Sequence, residues 1–250
     1  LNTAFAEFGI SFYLLHTDYT NNDEWFYIES ELESDYKEAL AIDPATVLNI
    51  YTTLHDEFLG YSYLPSDFSE DNYMHGVVLY FATLPGGWYE EWAYGDGDTG
   101  VHEVGHYLGL LHTFENSCSS PGDSVEDTPD QYAGENIYEC NDQLDTCESP
   151  GSDPVHNYMN YVDDSCMDEF TNGQSDRIAS MLAEYKPTLL ASSGIAEISV
   201  SPDSLSAALY SGDQETQTIT ISNSGEGNLY WNIDLVNMDE VSTPFTKDNW

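Results

Sequence analysis

Residues 102–112 read His102-Glu-Val-Gly-His106-Tyr-Leu-Gly109-Leu-Leu-His112, and their spacing decides how the chain folds. On a helix, His102 and His106 stand one turn apart on the same face, where two imidazoles can grip one ion. Glu103 is rotated about 100° from them, near enough to reach a water on that ion without ligating it. Gly109 lets the chain leave the helix through a left-handed conformation that a Cβ resists. The exit turn brings His112 back toward the ion as a third ligand. Three neutral imidazoles and one open position describe a hydrolytic zinc site rather than a closed structural one. In that chemistry zinc acidifies a water, and Glu103 takes its proton as the water attacks.

Outward from this stretch, Gly95-Asp-Gly-Asp98-Thr99 is a turn that offers Asp98 or Thr99 as helix N-cap. Val101, Val104, Leu108 and Leu111 are expected to pack the helix onto a sheet. Four apolar runs supply strands: Ile10 to His16, Val47 to Thr53, Leu59 to Leu64 and Gly76 to Leu84. Glu24 to Ala41 has helical spacing and reads as the helix that backs the sheet, ended by Asp43-Pro44. Ser175 to Tyr185 is a second amphipathic helix, stopped at Lys186-Pro187. Between them, Thr113 to Val155 is long, acidic and almost without periodicity. Such a stretch inside a compact domain is functional or disordered, and its cysteines favour the first. His16, His55 and His75 have no metal spacing and read as ordinary polar or core residues. His156 exceeds the required ligand count and is at most a neighbour of the ligands.

The stretch matches H-E-x-x-H-x-x-G-x-x-H, the metzincin signature, which expects a methionine in a tight turn further on. Met159 stands in His156-Asn-Tyr-Met159-Asn-Tyr161. Together with Leu48-Asn-Ile-Tyr51, Leu84-Pro-Gly-Gly87, Gly122-Asp-Ser-Val-Glu-Asp127-Thr-Pro129 and Phe170-Thr-Asn-Gly-Gln174, this resembles the pappalysin family of metzincins over about residues 8–187. The resemblance implies a secreted zinc endopeptidase with a mixed α/β fold, a twisted, mostly parallel sheet and one active-site helix. It implies that the strand just before the zinc helix lies at the sheet edge and pairs with substrate. Met159 is implied to lie beneath the zinc without binding it, and the Tyr161 hydroxyl to stabilise the oxyanion. Asp164 is implied to form the pocket for a basic residue, Arg above Lys, just after the scissile bond, since a carboxylate takes a guanidinium through two parallel hydrogen bonds.

Asp123, Glu126, Asp127, Thr128 and Asp130 crowd hard oxygens into a Gly/Pro-bounded loop, as calcium needs, and the resemblance strengthens that expectation with Asp123, Asp127 and Thr128 as ligands. Four cysteines, Cys118, Cys140, Cys147 and Cys166, form no CxxC pair, so two disulfides and an oxidising compartment are expected. Spacing leaves three connectivities open; the resemblance implies the crossed one, Cys118–Cys147 with Cys140–Cys166.

Composition sets the outer bounds. The chain carries 46 acids against 4 Lys plus Arg, a net of −42. Such a field repels nucleic acid and anionic membranes, and a solvated acidic shell of this size suits salty water. No run of eighteen apolar residues exists, so no membrane insertion is expected. The chain begins at Leu1, and a trimmed piece of a longer precursor is the expectation. Partners are protein or peptide substrates, with the chain a monomer. Residues 1–192 read as the catalytic domain and 195–250 as a β-rich, immunoglobulin-like segment, too short for a whole sandwich of about 100 residues. A competing reading is a non-catalytic secreted binding protein with a structural zinc, which the intact Glu103 opposes.

Overall fold

A computed structural model describes residues 1–27, 32–54, 58–86, 93–191, 198–202, 204–206, 208 and 214–224. The chain divides into two compact units, Leu1–Ser193 and Gly194–Trp250. In the first, helices α1 (Asn2–Phe5), α2 (Asp23–Phe26) and α3 (Glu33–Leu40) precede strands β1 (Ile50–Thr53), β2 (Gly60–Ser62) and β3 (Val77–Tyr80). Helix α4 (Asp98–Tyr107), a long irregular stretch, α5 (Asn172–Tyr185) and the short α6 (Pro187–Ala191) follow. In the second unit, β4 (Ile198–Ser201) and β5 (Thr220–Asn223) pair antiparallel. Residues 225–250 of the expected β-rich segment lie outside the described residues, as does His55. Among the described residues no helix is long and apolar enough to cross a membrane.

Strand order is β1-β3-β2, with β1 and β3 parallel (Ile50 opposite Val77) and β2 antiparallel to β3 (Ser62 opposite Val77). The described sheet is therefore mixed. The strand just before the zinc helix, β3, is central rather than at the edge, correcting that expectation. Its sequence gives the reason: Val77, Val78 and Leu79 are all buried, so both faces are covered, and a run apolar on both faces belongs inside a sheet. The edge beside the active-site helix is β2 instead.

Val77 and Leu79 face α4 and join Val101, Val104, Tyr107, Leu108, Leu110, Met159, Ile178 and Leu182 in one core. Leu110, not Leu111, is the inward residue after the helix, because the backbone reverses at Gly109 and shifts the helical phase. On the sheet's other side, α3 is the backing helix expected, but it covers only part of Glu24 to Ala41. The Asn22 side chain caps α2, and Tyr27 then leaves the helix for a parallel bridge to Leu54. Ile10 to His16 is not a strand: Tyr13 and Leu14 are 72% and 84% exposed. Its backbone is held by a side chain instead, since Asn2 exchanges two hydrogen bonds with the Phe12 peptide (2.9 and 2.6 Å), while the Phe12 ring packs 5.6 Å from Phe5. The run Gly76 to Leu84 also ends early, turning into a 3-10 segment at Phe81–Thr83.

Candidate active site

Helix α4 starts without a side-chain cap of its own. Gly97 is the N-cap residue, at φ 101°, and a Cβ there would stand 2.9 Å from Pro85, so neither Asp98 nor Thr99 caps the helix. The cap arrives from later in the chain: the amides of Asp96, Gly97 and Asp98 donate to Oδ2 of Asp164 at 2.8, 3.0 and 3.3 Å. A buried carboxylate at a helix N-terminus satisfies orphaned N–H groups and meets the positive end of the dipole. Further along, Gly105 is required because any side chain would collide with the sulfur of Met159 beneath it. At Gly109 (φ 106°) a Cβ would lie 2.6 Å from Met181, and Arg177 of α5 donates to the Gly109 carbonyl at 2.8 Å. Thus α5 braces the exit turn that returns His112.

The three Nε2 atoms of His102, His106 and His112 form a triangle with sides of 3.1, 3.1 and 3.2 Å. These contacts are not hydrogen bonds. Nδ1 of His102 lies 2.7 Å from the Tyr158 carbonyl, and Nδ1 of His106 lies 2.8 Å from the Leu110 carbonyl. A carbonyl only accepts, so each Nδ1 carries the proton and each Nε2 presents a lone pair inward. Lone pairs facing one another in a buried site repel unless a cation sits among them. Tetrahedral zinc with arms of about 2.0–2.1 Å has ligand–ligand edges of about 3.3 Å, so the triangle fits that ion. Burial and the neighbouring imidazoles hold His102 well below the usual histidine range, and burial first, then His106, pushes His112 down to about 3. The rings are neutral, as ligands must be. Phe114 stacks on His112 (4.8 Å, 7° between planes) and fixes its plane.

Glu103 is buried, and burial pushes its carboxyl up to about 8. Strand β2 makes room for it: a Cβ on Gly60 would stand 2.8 Å from the Glu103 Cγ. Tyr161 completes the group, its ring 5.6 Å from His102 and 4.8 Å from His112.

The segment carrying Met159 and Tyr161 is fixed by buried amides. Asn157 and Gln174 exchange two side-chain hydrogen bonds (2.8 and 2.9 Å), and the Met159 amide donates to Asn157 Oδ1 at 2.9 Å. Gln174 also belongs to the capping box of α5 with Thr171, which starts that helix at Asn172, three residues before the expected Ser175. Gln131 accepts from both Thr113 and Asn160 at 3.0 Å, joining the residue after His112 to the residue after Met159. The disulfides are Cys118–Cys147 and Cys140–Cys166. His156 sits apart from the triad; its two nitrogens meet the Cys166 carbonyl (2.7 Å) and Asp142 (2.8 Å). Cys140, His156 and Cys166 also place ligand-type atoms together, but both sulfurs are in the disulfide. His16 is exposed and His75 buried, away from the triad.

In the acidic loop the carboxylates do not converge. Among the described residues the groups of three or more His, Cys, Asp or Glu able to share an ion are the triad and that sulfur pair with His156. Asp127 instead accepts from the Gly173 amide of α5 at 2.9 Å. Asp123 and Thr128 are buried side by side: the Thr128 hydroxyl bears on the Asp123 carboxylate, and neither Asp123 Oδ2 nor the Thr128 hydroxyl has another partner among the described residues. Asp164 is 3% exposed, with Oδ2 occupied by the three amides and Oδ1 buried without a partner; Asp163 is exposed. Phe114, Gln131, Asn157, Asn160 and Gln174 escaped the sequence reading, because a buried amide far from the motif has no local signal. Asn157, Asn160 and Gln174 stand in stretches that carry the family likeness, but no role for them is legible there.

The family profile for pregnancy-associated plasma protein-A (Peptidase_M43) matches residues 41–183. An extracellular metalloprotease of Sordaria macrospora is 43% identical over 192 residues, 74% of this chain and 65% of that protein. One from Pyricularia oryzae is 39% identical over 190 residues, with the same two shares. This chain therefore spans about two thirds of the length of these relatives. Mature mirolysin of Tannerella forsythia, solved with a cleaved peptide, is 29% identical with a TM-score of 0.56, covering 66% of this chain and 65% of that one. Since the profile runs from before β1 to the last turn of α5, and the mixed α/β fold is shared with mirolysin, the chain belongs to the pappalysin family of metallopeptidases.

Proposed function

We propose that this chain is the catalytic part of a secreted zinc endopeptidase. The observation that carries this is the triangle of three converging Nε2 atoms beside the buried Glu103. Family membership implies the zinc, and His102, His106 and His112 are the residues that would hold it. Zinc, when bound, acidifies a water and polarises the peptide carbonyl. Glu103, although buried, would be held as a carboxylate beside such an ion. Glu103 then takes a proton from the attacking water and delivers it to the leaving amine. Tyr161 donates its hydroxyl to the carbonyl oxygen as that oxygen gains charge. An extended peptide laid beside β2, next to Glu103, would add to the sheet as a further strand.

Secretion is supported by the relatives, which are named extracellular, and by two disulfides, which need an oxidising compartment. A structural zinc in a binding protein would have four protein ligands, and three are present among the described residues. Glu103→Ala is expected to keep one zinc per chain and lose about 10²–10⁴-fold in peptide hydrolysis. Metal analysis and a peptide assay on one preparation decide it; full activity in that variant sinks the mechanism.

Two finer readings rest on single groups. Oδ1 of Asp164, buried and unpartnered, is the atom left to receive an Arg or Lys just after the scissile bond. A structural calcium at Asp123 and Thr128 is supported by the two buried hard oxygens that this pair brings together, with Asp127 steadying the loop through Gly173.

A further inference from the structure

Every part of the Tyr161 peptide is restrained. Its amide donates to Asn160 Oδ1 at 2.8 Å, and its carbonyl accepts from the Tyr94 hydroxyl at 3.4 Å. The ring meets Phe114 edge-on at 4.8 Å, and His112 and His102 stand on the metal side. One residue of the acidic stretch, Tyr138, also packs on this ring, stacked at 5.9 Å and 28°.

Tyr138 is the last residue of a 3-10 turn, Glu135–Tyr138, that is anchored inward by buried Ile137. Two residues on, Cys140 is bonded to Cys166 in the segment that follows Tyr161. Both rings are thus carried by the two sides of one disulfide, and the cross-link sets their separation. Tyr138 itself is 57% exposed, and among the described residues its only ring contact is Tyr161. A large exposed aromatic whose single ring partner is a site residue contributes little to the core. Its contact instead restrains the Tyr161 ring on the side where the two rings stack.

We propose that Tyr138 is a positioning residue, which acts through Tyr161 by holding its hydroxyl where charge develops on the substrate oxygen. This rests on the oxyanion role of Tyr161 proposed above. Small displacements of a group that acts only in the transition state lower kcat and leave KM nearly unchanged.

The test is a double-mutant cycle on the zinc-loaded full chain, using an internally quenched peptide with a single Xaa–Arg bond. Tyr138→Ala is expected to lower kcat roughly tenfold or more with KM within about twofold. Tyr138→Phe, which keeps the stack, should restore kcat. In a Tyr161→Phe background the same Tyr138→Ala change should have no further effect, while zinc content and Tm stay as in the parent. A loss that persists undiminished in the Tyr161→Phe background, or that falls on KM alone, overturns the proposal and makes Tyr138 a direct substrate contact. Wild-type kcat in Tyr161→Phe itself refutes the oxyanion role first and the positioning role with it.

Discussion

At the scale of single residues, the sharpest question is what Asp164 does. It is buried, three amides converge on one oxygen, and the other oxygen has no partner. Its first role is to cap α4, and the proposed preference for Arg would use the oxygen that remains. The two roles separate by substitution. Asp164→Asn keeps an oxygen for the amides but removes the charge, so folding and zinc content should hold while the preference for Arg after the cut disappears from a peptide library. Asp164→Ala also strips the cap, and should cost about 2–4 kcal/mol in denaturant unfolding. Retained Arg preference in the Asn variant would leave Asp164 a cap and nothing more. His156 is a second residue with a readable signature. Both its nitrogens face acceptors, and the Cys166 carbonyl and Asp142 raise its pKa above the ordinary value of about 6.5. For a histidine raised on folding, the added stability is fully present below about 6.5 and is lost as pH rises through the folded value. The Tm advantage of the wild type over His156→Gln should therefore be largest near pH 6 and shrink toward pH 8; a constant difference contradicts the assignment.

At the scale of elements, α4 and the Met159 segment are packed too closely for a methyl group. Gly105→Ala drives a Cβ into the Met159 sulfur, and overpacking of this kind costs about 1–3 kcal/mol. Gln174→Ala acts from a different side, removing the amide that joins the α5 capping box to Asn157 and so to Met159. Several buried polar groups then lose partners, at about 1–3 kcal/mol each. Both variants should show lower denaturant midpoints, and Gln174→Ala should also weaken zinc retention against a chelator, since it loosens the floor of the site. Unchanged chelator sensitivity would mean that the α5 link serves folding alone.

At the scale of the molecule, charge is distributed in an unusual way. Of four cations, Lys37 and Lys186 are fully buried and Arg177 is tied to Gly109, so almost nothing positive is left on the described surface. Lys37 pairs with Glu33 at 2.7 Å, reaches the Met74 carbonyl at 2.9 Å and is ringed by Tyr51, Tyr61 and Tyr63. The outer shell is acids repelling acids, and screening should stabilise it. Sodium chloride is thus expected to raise Tm in the wild type and in Asp123→Ala alike. Calcium at matched ionic strength should add a further increment only in the wild type. Equal responses to the two salts in the wild type would remove the calcium site and leave screening as the whole effect.

Sequence alone determined the helix that carries His102 and His106, its glycine exit, the return of His112 beside them and the place of Met159 beneath Gly105, because helix geometry fixes residue type and spacing within a few turns. It also determined β1, β2 and β3 in outline, since apolar runs bounded by turns are local signals. Tertiary structure decided what depends on a partner distant in the chain. Asp164 became the cap of a helix that starts 66 residues earlier, and Gln174 the anchor of the Met159 segment. Likewise Ile10 to His16, apolar enough for a strand, lies outside the sheet, with the Phe12 peptide hydrogen-bonded to the distant Asn2 side chain instead. β3 took the centre because both its faces found cover, and Asp123 to Asp130 spread apart because Asp127 docked on α5. A carboxylate, an amide and an apolar run each read alike in sequence whichever partner they meet; only the fold supplies the partner.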